Sequence, residues 1–304
     1  MAMRVATFAV SDQMIAAALR TQATMANQQI QQASGQISQD FGGLGSSSER
    51  VINLQVSVTR SQSYVDAASL ADSKVQVMYS AVGSMTDIIT NLRSLLTAGS
   101  LSSSTQSATI VQSAQDMMQQ MAGLLNTQYN GEYVFGGAQT NTAPVDLTDP
   151  TYVADTASAT TADTSYYQGD SQLASVRVSD NQTVSYGVTA DNSAFEQAMR
   201  ALKLVATSSP LTSATLTSAL SLASSALDAT SAVQTKLSNA ASAMETASAQ
   251  QTDYQSFAKT LGDSLTSVDV AAVTAQLATY QAQLTASYSA ISKVQSMDLA
   301  SYLH

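Results

Sequence analysis

The chain has 304 residues, with no Cys, no Trp and a single His, and carries a net charge of −10 with only 11% of its residues charged. No Cys means no disulfide framework, thiolate metal site or cysteine nucleophile, and the one His is His304, read as a solvated terminal residue, so no positioned imidazole base is expected either. The acidic balance argues against nucleic acid, whose phosphates need clustered Lys and Arg, and ordinary hydrophobicity with few charges departs from the composition of disordered chains.

Taken in chain order, Val5, Phe8, Met14, Ile15, Leu19, Met25, Ile30 and Ile37 recur with approximate helical spacing among Gln and Ala. The short apolar run Val5–Val10 falls short of a secretory h-region, so no cleaved signal peptide is expected, and no stretch approaches the roughly 18 apolar residues of a membrane span. Phe41-Gly-Gly-Leu-Gly45 breaks the pattern and reads as a flexible joint; no Lys follows it, so it is not a phosphate loop.

A heptad seam follows at Val75, Met78, Val82, Met85, Ile89, Leu92 and Leu96. Capping chemistry at Ser46–Glu49 and a stop at Gly99 predict a helix over 48–98, about 75 Å long at 1.5 Å per residue. Such a helix needs a partner along its whole length. Ile110, Ala114, Met117, Met121 and Leu124 predict a second helix with Met as core filler, joined to the first by a short Gly99–Thr105 connection.

From about Asn130 to Asp191 heptads vanish. Tyr133–Phe135, Ser175–Val178 and Thr183–Tyr186 are short β-prone runs between Asp, Asn and Gly turns. Residues 139–194 hold seven Asp and one Arg, more than half of the net charge in about a fifth of the chain. Their spacing fits neither a calcium loop nor a catalytic carboxylate pair, so a solvated, turn-rich surface is expected, with no cofactor and no enzyme activity.

Helical character returns with Phe195, Met199, Leu202 and Val205. After Pro210 comes a long stripe from Leu216 through Leu220, Ala223, Leu227, Thr230, Val233, Leu237 and Ala241 to Met244. The last segment carries Val273, Leu277, Tyr280, Leu284, Tyr288, Ile291 and Val294, continuing to Leu299 and Leu303. The expected fold is therefore mainly α with a small β insert: a long antiparallel helical bundle or coiled coil made from both termini, with a protruding β-rich domain. The expected divisions are a terminal helix over 1–47, helical rod halves over 48–129 and 195–262, a β-rich insert over 130–194, and a second terminal helix over 263–304. In the simplest packing the first segment pairs with the last and the second with the penultimate. The candidate interface residues are Phe8, Met14, Leu19, Ile30, Leu277, Tyr280, Leu284, Tyr288, Ile291, Val294, Leu299 and Leu303. Their seams fit two readings, packing between copies of the chain or an internal coiled-coil core, because an apolar stripe does not name its partner.

The charge-poor helical ends around a variable middle resemble the flagellin superfamily. Two stretches are more specific. Asn130-Gly131-Glu-Tyr133-Val-Phe135-Gly136-Gly137, followed by Pro144-Val, is similar to the N-G-x-Y-x-F-G-G…P-V segment of the hook-filament junction family (hook-associated protein 3). Tyr166-Tyr167-Gln-Gly169-Asp170 resembles its Y-x-G-D segment, and Asp298-Leu-Ala-Ser-Tyr-Leu303 its L-x-x-Y-L ending. The segment Phe41–Arg50 departs from that family's S-x-x-D-D-P joint. The resemblance implies an extracellular structural subunit of the bacterial flagellum, exported without a cleaved signal peptide. It also implies a ring of copies, contacts with the first hook-associated protein and with flagellin, and a cytosolic export chaperone on the C-terminal helix. A short flagellin that forms the filament itself is the alternative within the superfamily.

Overall fold

The computed structural model describes residues 2–98, 104–154 and 157–296, with side chains described from 9 to 294 within those spans. The architecture is mainly α with a small β insert. Seven helices are described: α1 (Ala2–Ser34), α2 (Ser48–Ala98), α3 (Ser104–Leu125), α4 (Pro150–Ala154), α5 (Ser193–Ala206), α6 (Ser213–Thr266) and α7 (Val270–Ser296). Two antiparallel hairpins complete it, β1 (Gln128–Tyr129) with β2 (Glu132–Tyr133) and β3 (Ser175–Ser179) with β4 (Gln182–Ser185). The chain divides into two compact units, Met1–Thr59 with Gln255–His304, and Arg60–Tyr254, and the divisions fall inside α2 and α6.

The larger unit is organised by the α2 seam. Val75, Met78, Val82, Met85, Ile89, Leu92 and Leu96 are all buried. Against them lie Ile110, Ala114, Met121 and Leu125 of α3, Phe195, Met199, Leu202 and Val205 of α5, and a stripe of α6. That stripe is Leu216, Ala219, Ala223, Ala226, Thr230, Val233, Leu237, Ala240 and Met244, whereas Leu220 and Leu227 sit half-buried at its margin. Ala at alternate contact positions lets backbones approach but removes little apolar area, so the large side chains of α2 and α5 supply most of the hydrophobic stabilisation. The Ser61 hydroxyl donates to the Gln251 carbonyl at 3.0 Å, which ties α2 to α6 within this unit.

The expected β-rich domain is smaller than the sequence suggests. Tyr133-Val-Phe135 contributes only its first residue to a strand; the rest turns away because Val134 and Phe135 are drawn into the core. Most of the described part of residues 126–192 is turn and loop, held by isolated backbone hydrogen bonds and by side chains rather than by continuous ladders.

In the smaller unit, Gly35 stops α1 at φ +69°, donating its N–H to the Gln31 carbonyl at 2.8 Å. The same corner is tied to the break between α6 and α7: Val268 donates to the Gly35 carbonyl at 2.9 Å and Ile37 to the Thr266 carbonyl at 2.7 Å. Asp269 then caps α7 by accepting from the Ala271 and Ala272 amides. Where a flexible joint was expected, Phe41–Ser47 forms a 3₁₀ helix that bends at Gly45. The expected connection over Gly99–Ser103 lies outside the described residues.

Replacing Leu92, fully buried at the centre of the seam, by Ala should destabilise the larger unit by about 2–5 kcal/mol, against less than 2 kcal/mol for the half-buried Leu220. Guanidinium denaturation of the two variants checks the order.

Candidate assembly surfaces

The terminal helices α1 and α7 pack on each other within the smaller unit. On α7 the covered positions are Val273, Leu277, Tyr280, Leu284, Ser287, Ile291 and Val294, an alternation of four and three residues. On α1 they are Ser11, Met14, Ala18, Thr21, Met25 and Gln28, with the same period. Cross-links from Gln28 to Gln276 at 2.6 Å and from Gln32 to Thr274 at 2.9 Å set the antiparallel register. Several α1 seam positions are polar, so this two-helix coil buries little apolar area for its length.

The structure sorts the sequence-named residues into two groups. Met14, Leu277, Tyr280, Leu284, Ile291 and Val294 line the seam between α1 and α7. Leu19 (60% exposed), Ile30 (51%) and Tyr288 (53%) face outward, joined on α1 by the exposed Val10 and Ile15. Ile15, Leu19 and Ile30 form a second stripe, offset from the Met14–Ala18–Met25 stripe by roughly 110° at 100° per residue. Phe8 lies on α1 with its side chain outside the described set, and Leu299 and Leu303 lie outside the described residues.

The motif residues of the insert come together in one knot. Asn130 and Gly131, at φ +52° and +82°, make the two-residue turn between β1 and β2. Phe135 is buried edge-on against Phe195 of α5, with ring centroids 5.9 Å apart. Pro144 accepts a hydrogen bond from the Gln168 amide at 2.9 Å, and the Tyr166 hydroxyl donates to the Ala190 carbonyl at 3.0 Å. Asp170 accepts from the Ala138 and Gln172 amides and donates its own N–H to the Gly136 carbonyl. The Tyr167 hydroxyl closes the loop on the Asp170 carbonyl at 2.6 Å. Three of the glycines are required by space, Gly136 because a Cβ there would stand 2.6 Å from the Gln139 carbonyl oxygen. A Cβ on Gly137, already at φ +70°, would stand 2.2 Å from Asp170 Oδ1, and one on Gly169 would stand 2.6 Å from the Gly136 carbonyl oxygen. The motif is thus an interlock between two loops about 30 residues apart. Desolvation pushes the Tyr166 and Tyr167 hydroxyls above the ordinary tyrosine range and keeps them as donors.

Sequence reasoning missed a buried charge cluster beside this knot. Lys203 of α5 is 4% exposed and donates to Asp163 Oδ2 at 2.7 Å and to the Tyr152 carbonyl at 2.6 Å, with its ammonium 3.7 Å from the Tyr152 ring centroid. Glu196, two turns earlier on the same face, pairs with Arg200 at 3.0 Å and accepts from the Asp163 amide. Together they fasten the 150–166 segment to α5. The available signal was Glu196, Arg200 and Lys203 at i, i+4 and i+7 on one short amphipathic helix of a chain poor in charge. Burial opposes ionisation of Asp163, but hydrogen bonds from Lys203 and Ser165 outweigh it and hold its carboxyl below the usual range. A further surface feature is a groove of about 770 Å³ between α2 and α6 in the larger unit, with Val75, Leu237 and Met244 in its floor and Asp72, Glu245 and Asp253 at its edges. Among the described residues no group of three His, Cys, Asp or Glu side chains is placed to hold a metal ion.

Gly137→Ala should cost about 1–3 kcal/mol, since the added methyl meets the Asp170 carboxylate and a strained φ at once; thermal melting measures it. A carboxyl whose folded pKa is depressed stabilises above its unfolded value and loses that contribution as pH falls. The stability gap between the wild type and Asp163→Asn should therefore be widest near neutrality and close below about pH 4. Denaturant titrations at several pH values follow it.

Residues 5–140 match the family described as the bacterial flagellin N-terminal helical region. No curated protein sequence matches the chain significantly. Among solved structures, a Vibrio parahaemolyticus protein described as flagellar hook-associated aligns with a TM-score of 0.61 and 14% identity, covering 75% of this chain and 99% of that one. Bacillus cereus FlgL aligns over 73% of this chain and 96% of its own, with 12% identity and a TM-score of 0.36. The resemblance to the flagellin superfamily read from the motifs thus meets a flagellin family match over residues 5–140 and a shared fold over three quarters of the chain.

Proposed function

We propose that the chain is a structural subunit of the bacterial flagellum that joins the hook, through the first hook-associated protein, to the flagellin filament. The observation that carries this reading is the pairing of helices from both ends of the chain, α1 with α7, in a protein whose N-terminal half matches flagellin, while Ile15, Leu19 and Ile30 remain uncovered on α1. The fold shared with the Vibrio parahaemolyticus protein, described as flagellar hook-associated, supports the hook-associated role over a filament subunit.

In this reading copies pack in a ring through the outward stripe of α1, with Tyr288 of α7 beside it. The seam residues Met14, Leu277, Tyr280, Leu284, Ile291 and Val294 hold the two terminal helices to each other. The subunit leaves the cell by flagellar export without a cleaved leader, with a cytosolic chaperone covering the C-terminal helix until release. On this view the insert knot is scaffold rather than contact surface.

Deletion of the gene should abolish filaments and release flagellin into the medium. Complementation with Leu19→Asp should leave helix content and melting unchanged yet fail to restore motility, because that side chain touches no core. Leu284→Asp should also abolish motility, but with loss of helix content from the unpaired ends. Normal filaments on the Leu19→Asp strain overturn the interface, and purified protein that polymerises alone into long tubes overturns the junction role in favour of a short flagellin.

A further inference from the structure

Asn130-Gly131 is the single Asn-Gly pair in the sequence. It forms the exposed turn of the β1–β2 hairpin, whose ladder is only Gln128↔Tyr133 and Tyr129↔Glu132. Nothing lies within 4 Å of the place a Cβ on Gly131 would occupy. Of the other asparagines, Asn27, Asn53, Asn91 and Asn239 lie inside long helices, Asn126 exchanges two hydrogen bonds with Val145, and Asn192 caps α5; Asn141 and Asn181 are also exposed in turns, but Thr142 and Gln182 follow them, whose side chains crowd the attacking amide as glycine does not.

We propose that Asn130-Gly131 is a self-modifying site at which the folded protein deamidates. The Gly131 amide nitrogen, after losing its proton, attacks Cγ of Asn130. The new C–N bond closes a five-membered succinimide ring, and the side-chain nitrogen leaves as ammonia. Water then opens the ring at either carbonyl, giving Asp or isoaspartate at position 130, with no oxidant or cofactor required. Glycine supplies the nucleophile because it has no side chain to block the approach, and the positive φ of the turn must relax before ring closure. A ladder of two residue pairs with solvent on the turn opens readily by local fraying.

The two products act differently on the hairpin. Aspartate tolerates the left-handed conformation much as asparagine does, so it keeps the turn and adds one negative charge beside Glu132, which pairs with Lys74 of α2 at 3.1 Å. Isoaspartate lengthens the main chain by a carbon, which a two-residue turn cannot hold, so it loosens β2 and with it that ion pair.

The test incubates the folded full-length protein in mildly alkaline buffer and maps its peptides by mass. The peptide containing residue 130 should become about 1 Da heavier as an amide turns to an acid, ahead of every other asparagine. It should also become a substrate for enzymatic isoaspartyl methylation. Asn130→Asp, which carries the direct product, should stay folded and gain no further mass there. If the peptide stays unmodified in the folded protein while a urea-unfolded sample converts, the turn seals the site and the proposal falls; it falls equally if another asparagine converts first.

Discussion

The structure depends on the uninterrupted apolar seam of α2. A 51-residue helix gains too little from its own hydrogen bonds to persist in water, so each turn must find cover. Between Val75 and Leu96 that cover comes from three helices at once, α3, α5 and α6. The large side chains sit on α2, while α6 answers with Ala219, Ala223, Ala226 and Ala240. This division lets two very long helices run close without the bulk of a leucine zipper. It also concentrates the cost of any truncation on α2 and α5, where the lost volume cannot be refilled by small neighbours.

Charge is distributed in the same uneven way. Residues 1–59 and 255–304 hold five Lys or Arg and six Asp or Glu, whereas residues 60–254 hold seven and sixteen, so the larger unit carries −9 of the net −10. Within that unit six of the seven cations bond to insert or α5 residues: Arg60 to Asp180, Lys74 to Glu132, Arg177 to the Ser179 carbonyl, Arg200 to Glu196, Lys203 to Asp163 and Lys236 to the Gly187 carbonyl. The Lys203–Asp163 and Arg200–Glu196 pairs remove charge from the interior rather than add stability in proportion to their number, since desolvation offsets most of their attraction. What they contribute is placement: Lys203 bonds the Tyr152 carbonyl and Asp163, Arg200 the Ala159 carbonyl, and Glu196 the Asp163 amide, which holds these residues of the insert against α5.

The long elements were legible because periodicity is a local signal. The seam spacing and the Ser48–Glu49 start predict 48–98, and α2 spans Ser48–Ala98. The β3–β4 hairpin was legible for the same reason, through β-branched residues around an Asp-Asn turn. The knot was not. Its motif residues could be named from resemblance, but the contact that makes Gly137 obligatory is with Asp170, 33 positions away, and no local pattern encodes it. The last helix was legible from the periodicity that sets in at Val270, where α7 starts, but the hydrogen bonds that tie the break before it to Gly35 and Ile37 were not. The buried cluster failed to register because Glu196, Arg200 and Lys203 read as an ordinary solvated helix face until Asp163 is brought to them.

The terminal pair shows why an apolar stripe in sequence could be read two ways. A helix in a two-stranded coil covers one face only, and α1 carries two. Met14, Ala18 and Met25 satisfy α7, and the stripe of Ile15, Leu19 and Ile30 stands about a third of a turn away. Ser11, Thr21 and Gln28 dilute the covered face, and Asp12 and Gln22 the open one, yet Ile15, Leu19 and Ile30 leave three large apolar side chains in solvent. The internal pairing then fixes which face points outward, and any gain from burying that open stripe comes from a surface that this single chain does not supply among its described residues.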